Sequence, residues 1–206
     1  TTDSELVRDN AKLLRGWGRQ SSLMGETEKY DERFGYDLDG IPYDAKYVFN
    51  ALGYNFLPSE ISAAFALVQL SKLKQNTEIR NRNFAALCKV FQNYEEYFQI
   101  PVRDTVSVSP WLALPILLRE GTPFSRKELQ IRFESQGIQT RTVFTGNILR
   151  QPAFSSYSSV SVDDFPNSDK VMRQGMVLGC HHGMTENQID FIQDVLKQFI
   201  IDATEN

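Results

Sequence analysis

Apolar positions recur at helical spacing at the start of the chain, where Leu6, Val7, Leu13 and Leu14 stand among charged groups. The spacing predicts an amphipathic helix from about Thr2 to about Arg15, ended by Gly16 and Gly18. TTDSEL reads as a capping box, with Thr2 as cap and Glu5 three residues on. Between Gly16 and Asn50 the periodicity fades and Gly, Asp and Tyr dominate, which predicts a long irregular connection. Its aromatic side chains (Tyr30, Phe34, Tyr36, Tyr43, Tyr47, Phe49) argue that it is ordered. The stretch from Gly53 to Leu70, GYNFLPSEISAAFALVQL, is different in kind. A Gly-Tyr-Asn turn leads into a Pro-Ser-Glu start signal and then a nearly unbroken apolar run. A helix apolar on every side must be covered by other protein, so this one is the centre of a domain or a piece of an interface. Phe84, Leu87, Cys88, Phe91 and Phe98 continue a one-sided stripe and carry the helix on to about Phe98.

From Pro101 the pattern changes. VSVSPWLALPILL mixes alternating and continuous apolar residues with prolines, as one or two strands at a sheet edge would. Ser125 and Glu128 form a capping box for a helix that stops at Gly137. IQTRTVF is strand-like, GNILRQPAF a turn, and SSYSSVSVDDFPNSD a serine-rich surface loop. A short helix around Val171 leads to the strand MVLGC. Thr185 and Gln188 then cap a final helix whose inner face carries Ile189, Ile192, Leu196, Phe199 and Ile200. The second half is therefore a small sheet with helices packed on it, an α+β arrangement.

Composition narrows the function classes. The 206 residues carry 22 basic and 26 acidic groups without blocks of either sign, which argues against nucleic acid or a membrane surface as partner. No apolar run is long enough to span a bilayer. Two cysteines, Cys88 and Cys180, are too few for a disulfide framework and point to a reducing, cytoplasmic setting. The absence of an initiator methionine before a helix cap suggests a piece of something longer.

No Walker loop, dinucleotide fingerprint, zinc-spaced cysteine set or nucleophile elbow is present. Cys180, His181 and His182 invite a metal, but neighbouring strand residues face opposite ways, so a strand end running into a helix start is the better reading. Arg141 to Gln151, RTVFTGNILRQ, gathers guanidinium forks suited to phosphate oxygens and amides suited to sugar hydroxyls. An ordinary solvated loop explains the same letters. Asn55, close to a helix start, can meet an anion, although locally a turn role is the commoner one.

Taken together, GWGR, then GYN followed by SEISAAFALVQL, then TRTVFTGNILRQPAF resemble the DegT/StrS family of pyridoxal-phosphate-dependent enzymes that act on nucleotide-linked deoxysugars. The last motif is most similar to the sugar-nucleotide 3-dehydratase branch. The resemblance implies the C-terminal part of a fold-type I pyridoxal-phosphate-dependent transferase, α+β or α/β, with a long linking helix and a small sheet-and-helix subdomain. Residues 1–75 would be the tail of the large cofactor domain and residues 76–206 the small subdomain. The residue facing the cofactor, a lysine in aminotransferases and a histidine in dehydratases, would precede Thr1, so no catalytic residue is assigned within the chain.

By position, the resemblance makes Asn55 a contact to the cofactor phosphate of a neighbouring subunit in a homodimer. It places Arg141, Asn147, Arg150 and Gln151 on the nucleotide-sugar side of the cleft. Leu57 stands where the family commonly has a cation. One dehydratase type holds an iron–sulfur cluster on cysteines after GR, where this chain reads Gln20, Ser21, Ser22 and Leu23; such a cluster is not expected, nor is any other metal. The implied partners are the cofactor in its pyridoxal or pyridoxamine form, a nucleotide-linked keto-sugar and an amino-acid amino donor. The implied role is 3-dehydration or transamination of 4-keto-6-deoxysugars for surface polysaccharide, such as lipopolysaccharide O-antigen. The rival is a noncatalytic binding or regulatory module that keeps the fold and dimer face.

Overall fold

A computed structural model describes residues 1–24, 29–102, 109–154 and 160–205. The chain divides into two compact units, Thr1–Leu70 and Ser71–Asn206.

In the first unit, α1 (Glu5–Arg15) begins at Ser4, whose hydroxyl accepts from the Val7 amide at 3.4 Å. The cap is thus two residues later than TTDSEL predicts, because Ser4 supplies the oxygen at the right offset while Thr2 bonds only to the Ser4 amide. The segment expected to be irregular contains regular pieces: α2 (Ser21–Met24), α3 (Tyr30–Arg33), and a hairpin of β1 (Tyr36–Leu38) and β2 (Ile41–Tyr43). The hairpin turns on Asp39-Gly40, both at positive φ, a dipeptide suited to the tight turn whose twist matches paired strands. Gly25 to Glu28 of that segment lie outside the described residues. Arg33 clasps Asp44, whose carboxylate also caps a single 3-10 turn, Ala45–Tyr47. Val48 is the one buried hydrophobic side chain of this unit among the described residues.

The helix α4 (Glu60–Gln92) runs 33 residues and crosses from the first unit into the second. It stops short of Phe98 because Asn93 to Tyr97 close tight turns, with Tyr94 and Tyr97 amides donating to Phe91 and Tyr94 carbonyls. Phe98 still reaches the core, from a strand, and meets Phe91 edge-on at 5.2 Å. The expectation that the first half of α4 is buried is not met. Every residue from Tyr54 to Gln75 is exposed, with Ile61 83%, Phe65 68% and Leu70 64% accessible. The apolar pattern is as read, and the described residues do not cover it.

The second unit has an antiparallel sheet of β3 (Phe98–Gln99), β4 (Ala113–Leu118), β5 (Thr140–Thr142) and β6 (Gly175–Gly179), in the order β3-β4-β6-β5. The proline-containing strand β4 is internal rather than at an edge. Pro115 is accommodated because β3 pairs only with Leu117 and Leu118, so the β3 ladder never reaches a residue that lacks an N–H. Of VSVSPWLALPILL, Val106 to Val108 lie outside the described residues. Leu114, Ile116 and Leu118 alternate inward from β4 and meet Met176 and Leu178 of β6. Over them pack α5 (Arg126–Ser135), capped by the Ser125–Glu128 box, and α7 (Glu186–Thr204), capped by Thr185 and Gln188. Ile189, Ile192, Leu196, Phe199 and Ile200 are all buried, as their spacing predicts. Phe84, Leu87 and Phe91 of α4 complete the core, with Phe84 stacked on Trp111 at 4.3 Å.

Candidate functional site

Two segments carry the predicted site residues, one in each unit. In the first, Gly53 to Phe56 runs antiparallel to Leu14–Trp17: the Tyr54 amide donates to Leu14 (2.6 Å), the Trp17 amide to Tyr54 (2.8 Å) and the Phe56 amide to Arg15 (2.9 Å). The approach is close enough to require glycine on both sides. A Cβ on Gly53 would sit 2.2 Å from the Gly18 nitrogen, and one on Gly18 1.7 Å from the Ala51 oxygen. GWG and GYN are therefore two halves of one clamp. In this extended segment Tyr54 and Phe56 point to one side, their rings stacked at 5.0 Å, which puts Asn55 on the other. Asn55 is exposed and its side-chain amide makes no hydrogen bond among the described residues, leaving its donors and acceptor for another molecule. Leu57, 46% exposed, adds no charge beside it.

In the second unit, the loop after β5 is organised by an acid that sequence reading missed. Asp169, 6% exposed in α6 (Pro166–Gln174), accepts from Asn147 Nδ2 at 2.8 Å and Arg150 Nε at 2.6 Å, and Arg173 lies 3.7 Å away. The Arg150 guanidinium, with the Asn147 amide, holds the Asp169 carboxyl down to about 2. Asn147 is 2% exposed and also caps the turn Ile148–Arg150 by accepting from the Leu149 amide at 3.1 Å. Gln151 donates to the Thr145 carbonyl at 3.0 Å. The structure thus gathers Asn147, Arg150 and Gln151 into one bonded loop, in which Asn147 is fully engaged and Arg150 keeps part of its guanidinium exposed. Arg141 on β5 stands apart, 65% exposed, donating to the Thr140 carbonyl at 2.7 Å and lying 3.9 Å from Glu134. Between these, Phe144 is held at φ 46° and is 92% exposed, a strained and outward posture for an aromatic residue. The loop borders a cavity of about 190 Å³ lined by Arg126, Thr142, Phe144, Gln151 and Met172. The one signal for Asp169 in the sequence was the helix start FPNSD, which sets an acid in the first turn.

The Cys-His-His run is a strand end leading into a helix start. Cys180 is buried, its thiol pushed up to about 11 by desolvation and donating to the Trp111 carbonyl. Buried Asn83 of α4 fastens the turn by donating to the His181 and Met184 carbonyls at 2.9 and 3.2 Å. Among the described residues no group of three metal-capable side chains comes together, and no helix is long and apolar enough to cross a membrane.

Residues 1–197 match the model of the DegT/DnrJ/EryC1/StrS aminotransferase family. The chain belongs to this family. It is 32% identical over 201 residues to the lipopolysaccharide biosynthesis protein RfbH of Salmonella typhimurium, covering 96% of this chain and 46% of that protein. It is 33% identical over 190 residues to the dTDP-4-dehydro-2,6-dideoxy-D-glucose 3-dehydratase of Saccharopolyspora spinosa, covering 91% and 41%. Among solved structures, the E. coli GDP-4-keto-6-deoxy-D-mannose-3-dehydratase with bound hydrated PLP superimposes with a TM-score of 0.74 at 22% identity, over 95% of this chain and 49% of that one. Helicobacter pylori PseC, an aminotransferase of pseudoaminic acid biosynthesis, gives 0.74 at 16% identity over 98% and 48%. The fold is therefore that of the C-terminal half of these enzymes, and this chain spans about half the length of the relatives it matches.

Proposed function

We propose that the chain is the C-terminal portion of a pyridoxal-phosphate-dependent enzyme that acts on nucleotide-linked 4-keto-6-deoxysugars, as a 3-dehydratase or an aminotransferase, in the making of surface-polysaccharide sugars. The observation that carries this reading is the family match over residues 1–197, with a 3-dehydratase among the relatives at 33% identity.

The residues fit the cofactor in one respect. Asn55 offers an uncommitted amide to a phosphate, and with Leu57 two residues on, this stretch binds by neutral donors rather than by charge. When bound, the cofactor ring supplies the electron sink for the reaction. Asn55 anchors and orients its phosphate. Arg141 and the exposed part of Arg150 face the nucleotide-sugar with Gln151, while Asn147 acts as a positioning residue through Asp169. A second copy of the chain covers part of the exposed apolar stretch from Tyr54 to Gln75, so the working form is a homodimer in which Asn55 serves the neighbouring site.

The test uses protein from the complete gene, a nucleotide-linked 4-keto-6-deoxysugar, pyridoxal phosphate and glutamate, with products identified by mass spectrometry. Replacement of the carbon-3 hydroxyl by hydrogen, with glutamate going to 2-oxoglutarate and ammonia, or replacement of the carbon-4 keto oxygen by an amino group, with glutamate going to 2-oxoglutarate, is the expected outcome. No turnover with any keto-sugar would overturn the reading in favour of a noncatalytic module.

A further inference from the structure

Arg19 is set in an arrangement that neither the fold nor the proposed reaction explains. Its guanidinium carbon lies 4.6 Å from the centroid of the Trp17 ring, 5.6 Å from Tyr47 and 5.8 Å from Phe49. The backbone fixes this posture from both sides. The Arg19 amide donates to Gly16 at 3.1 Å, the Asn50 amide to Gly18 at 2.8 Å, the Gln20 amide to Val48 at 2.9 Å, and Arg19 bridges to Phe49 across the turn. Trp17 itself is held at φ 62°, in the left-handed region that a bulky residue rarely enters, and the Gly18–Gly53 clamp keeps it there.

Ring contacts of this kind engage the cation through space and form no hydrogen bonds, so the in-plane N–H donors of the guanidinium are left over. One of them, Nε–H, is buried and has no hydrogen-bond partner among the described residues, and the Arg19 side chain takes part in no ion pair there. A buried donor on a permanent cation that has lost its water and gained no acceptor is costly. An acceptor of two oxygens lying in the guanidinium plane removes that cost with two parallel charge-assisted bonds. The rings beside it remain partly open, Trp17 at 39%, Tyr47 at 54% and Phe49 at 56% exposure, so a ligand can approach over them.

We propose that Arg19, on its platform of Trp17, Tyr47 and Phe49, is a binding site for an oxyanion held edge-on by the guanidinium fork. The chemistry is shared by phosphate groups and carboxylates, and the probes below separate them. The inference does not draw on the proposed reaction, so either can fail without the other.

Titration calorimetry of the full chain with inorganic pyrophosphate, and in parallel with glutamate, tests it. Saturable binding of one of the two is expected, and the tighter one names the class. Arg19→Gln weakens that binding by about tenfold or more, the worth of a charge-assisted pair. Arg19→Lys keeps the charge and loses the fork, so it too binds more weakly than the wild type. Arg8→Gln, on the exposed face of α1, removes the same charge elsewhere and leaves binding unchanged. Circular-dichroism melting establishes that each variant is folded; should Arg19→Gln not fold, Arg19→Lys decides. Binding of neither probe by the wild type, or equal binding by wild type and Arg19→Lys, overturns the proposal, as does an equal loss in Arg8→Gln.

Discussion

The clamp that presents Asn55 gives a prediction with a worked size. Gly53→Ala places a Cβ 2.2 Å from the Gly18 nitrogen, 2.5 Å from the Trp17 carbonyl carbon and 2.9 Å from the Leu14 oxygen. All three are backbone atoms, so no side chain can swing away and the two segments must part. Parting them opens the hydrogen bonds donated by Tyr54, Trp17 and Phe56. At about 1 kcal/mol net for each bond, the local cost is about 3 kcal/mol, or on the order of a hundredfold in the opening equilibrium. Hydrogen exchange followed by NMR reads this directly: the Trp17, Tyr54 and Phe56 amides exchange faster by about two orders of magnitude, while amides of β4 and β6 keep their protection. Gly40→Ala is the control. It has no atom within 4 Å of the added Cβ and pays only for its positive φ, about 1–2 kcal/mol, so it loosens the hairpin and spares the clamp. Wild-type exchange at Trp17, Tyr54 and Phe56 in Gly53→Ala would refute the argument that the two glycines exist for close approach.

Three further predictions concern the loop, the core and the cofactor. Folding holds the Asp169 carboxyl down to about 2 against an unfolded value of about 3.9, so its ion pair stabilises fully above about pH 4 and is lost as pH falls through about 2. Urea unfolding should therefore show Asp169→Asn less stable than wild type at pH 7, with the gap closing between about pH 4 and pH 2; a pH-independent gap contradicts the linkage. Phe133→Ala, at a side chain with no exposure in the packing of α5 on the sheet, lowers stability by about 3–5 kcal/mol in the same assay, and a loss below about 1 kcal/mol would mean the site collapses freely. In protein from the complete gene, Asn55→Ala raises the dissociation constant for pyridoxal phosphate by about tenfold, measured by absorbance titration; unchanged affinity would return Asn55 to the role of a turn residue.

The second unit was largely legible because its elements announce themselves locally. Capping boxes at Ser125 and Thr185, the five inward residues of α7 and the apolar run that forms β4 are short-range patterns, and each element is found where it was read. What failed were features that depend on residues far apart in sequence. Pro115 reads as an edge residue until β3 is seen to stop at Leu117; a local feature also missed, the hairpin between Tyr36 and Tyr43, was hidden by strands of three residues each. The same holds at the candidate site. Asn147 and Arg150 could be picked out by type, but their common partner Asp169 lies across a serine-rich stretch, and no spacing rule links them. GWG and GYN could be seen as separate turns, whereas their meaning as one clamp appears only when Gly18 and Gly53 touch.

The first half of α4 sharpens this distinction between pattern and placement. Its run of Ile61, Phe65, Leu67, Val68 and Leu70 carries the composition of a buried helix, yet each of these is more than half exposed. A helix that folds with such faces open gains almost nothing from burial, so its order there comes from continuity with the packed C-terminal half at Phe84, Leu87 and Phe91. A contiguous apolar surface of this extent in water favours any partner that covers it. Asn55 stands five residues before this helix begins, on a segment that the clamp holds rigid. Whatever covers the helix is therefore brought to within a few residues of the amide group. On the proposed reading, in which Asn55 meets the cofactor phosphate of a neighbouring subunit, that coupling links cofactor contact with subunit assembly in one stretch of sequence. The same reading predicts an order of events, in which the clamp and the C-terminal packing form within the chain and the proposed Asn55 site is completed on association.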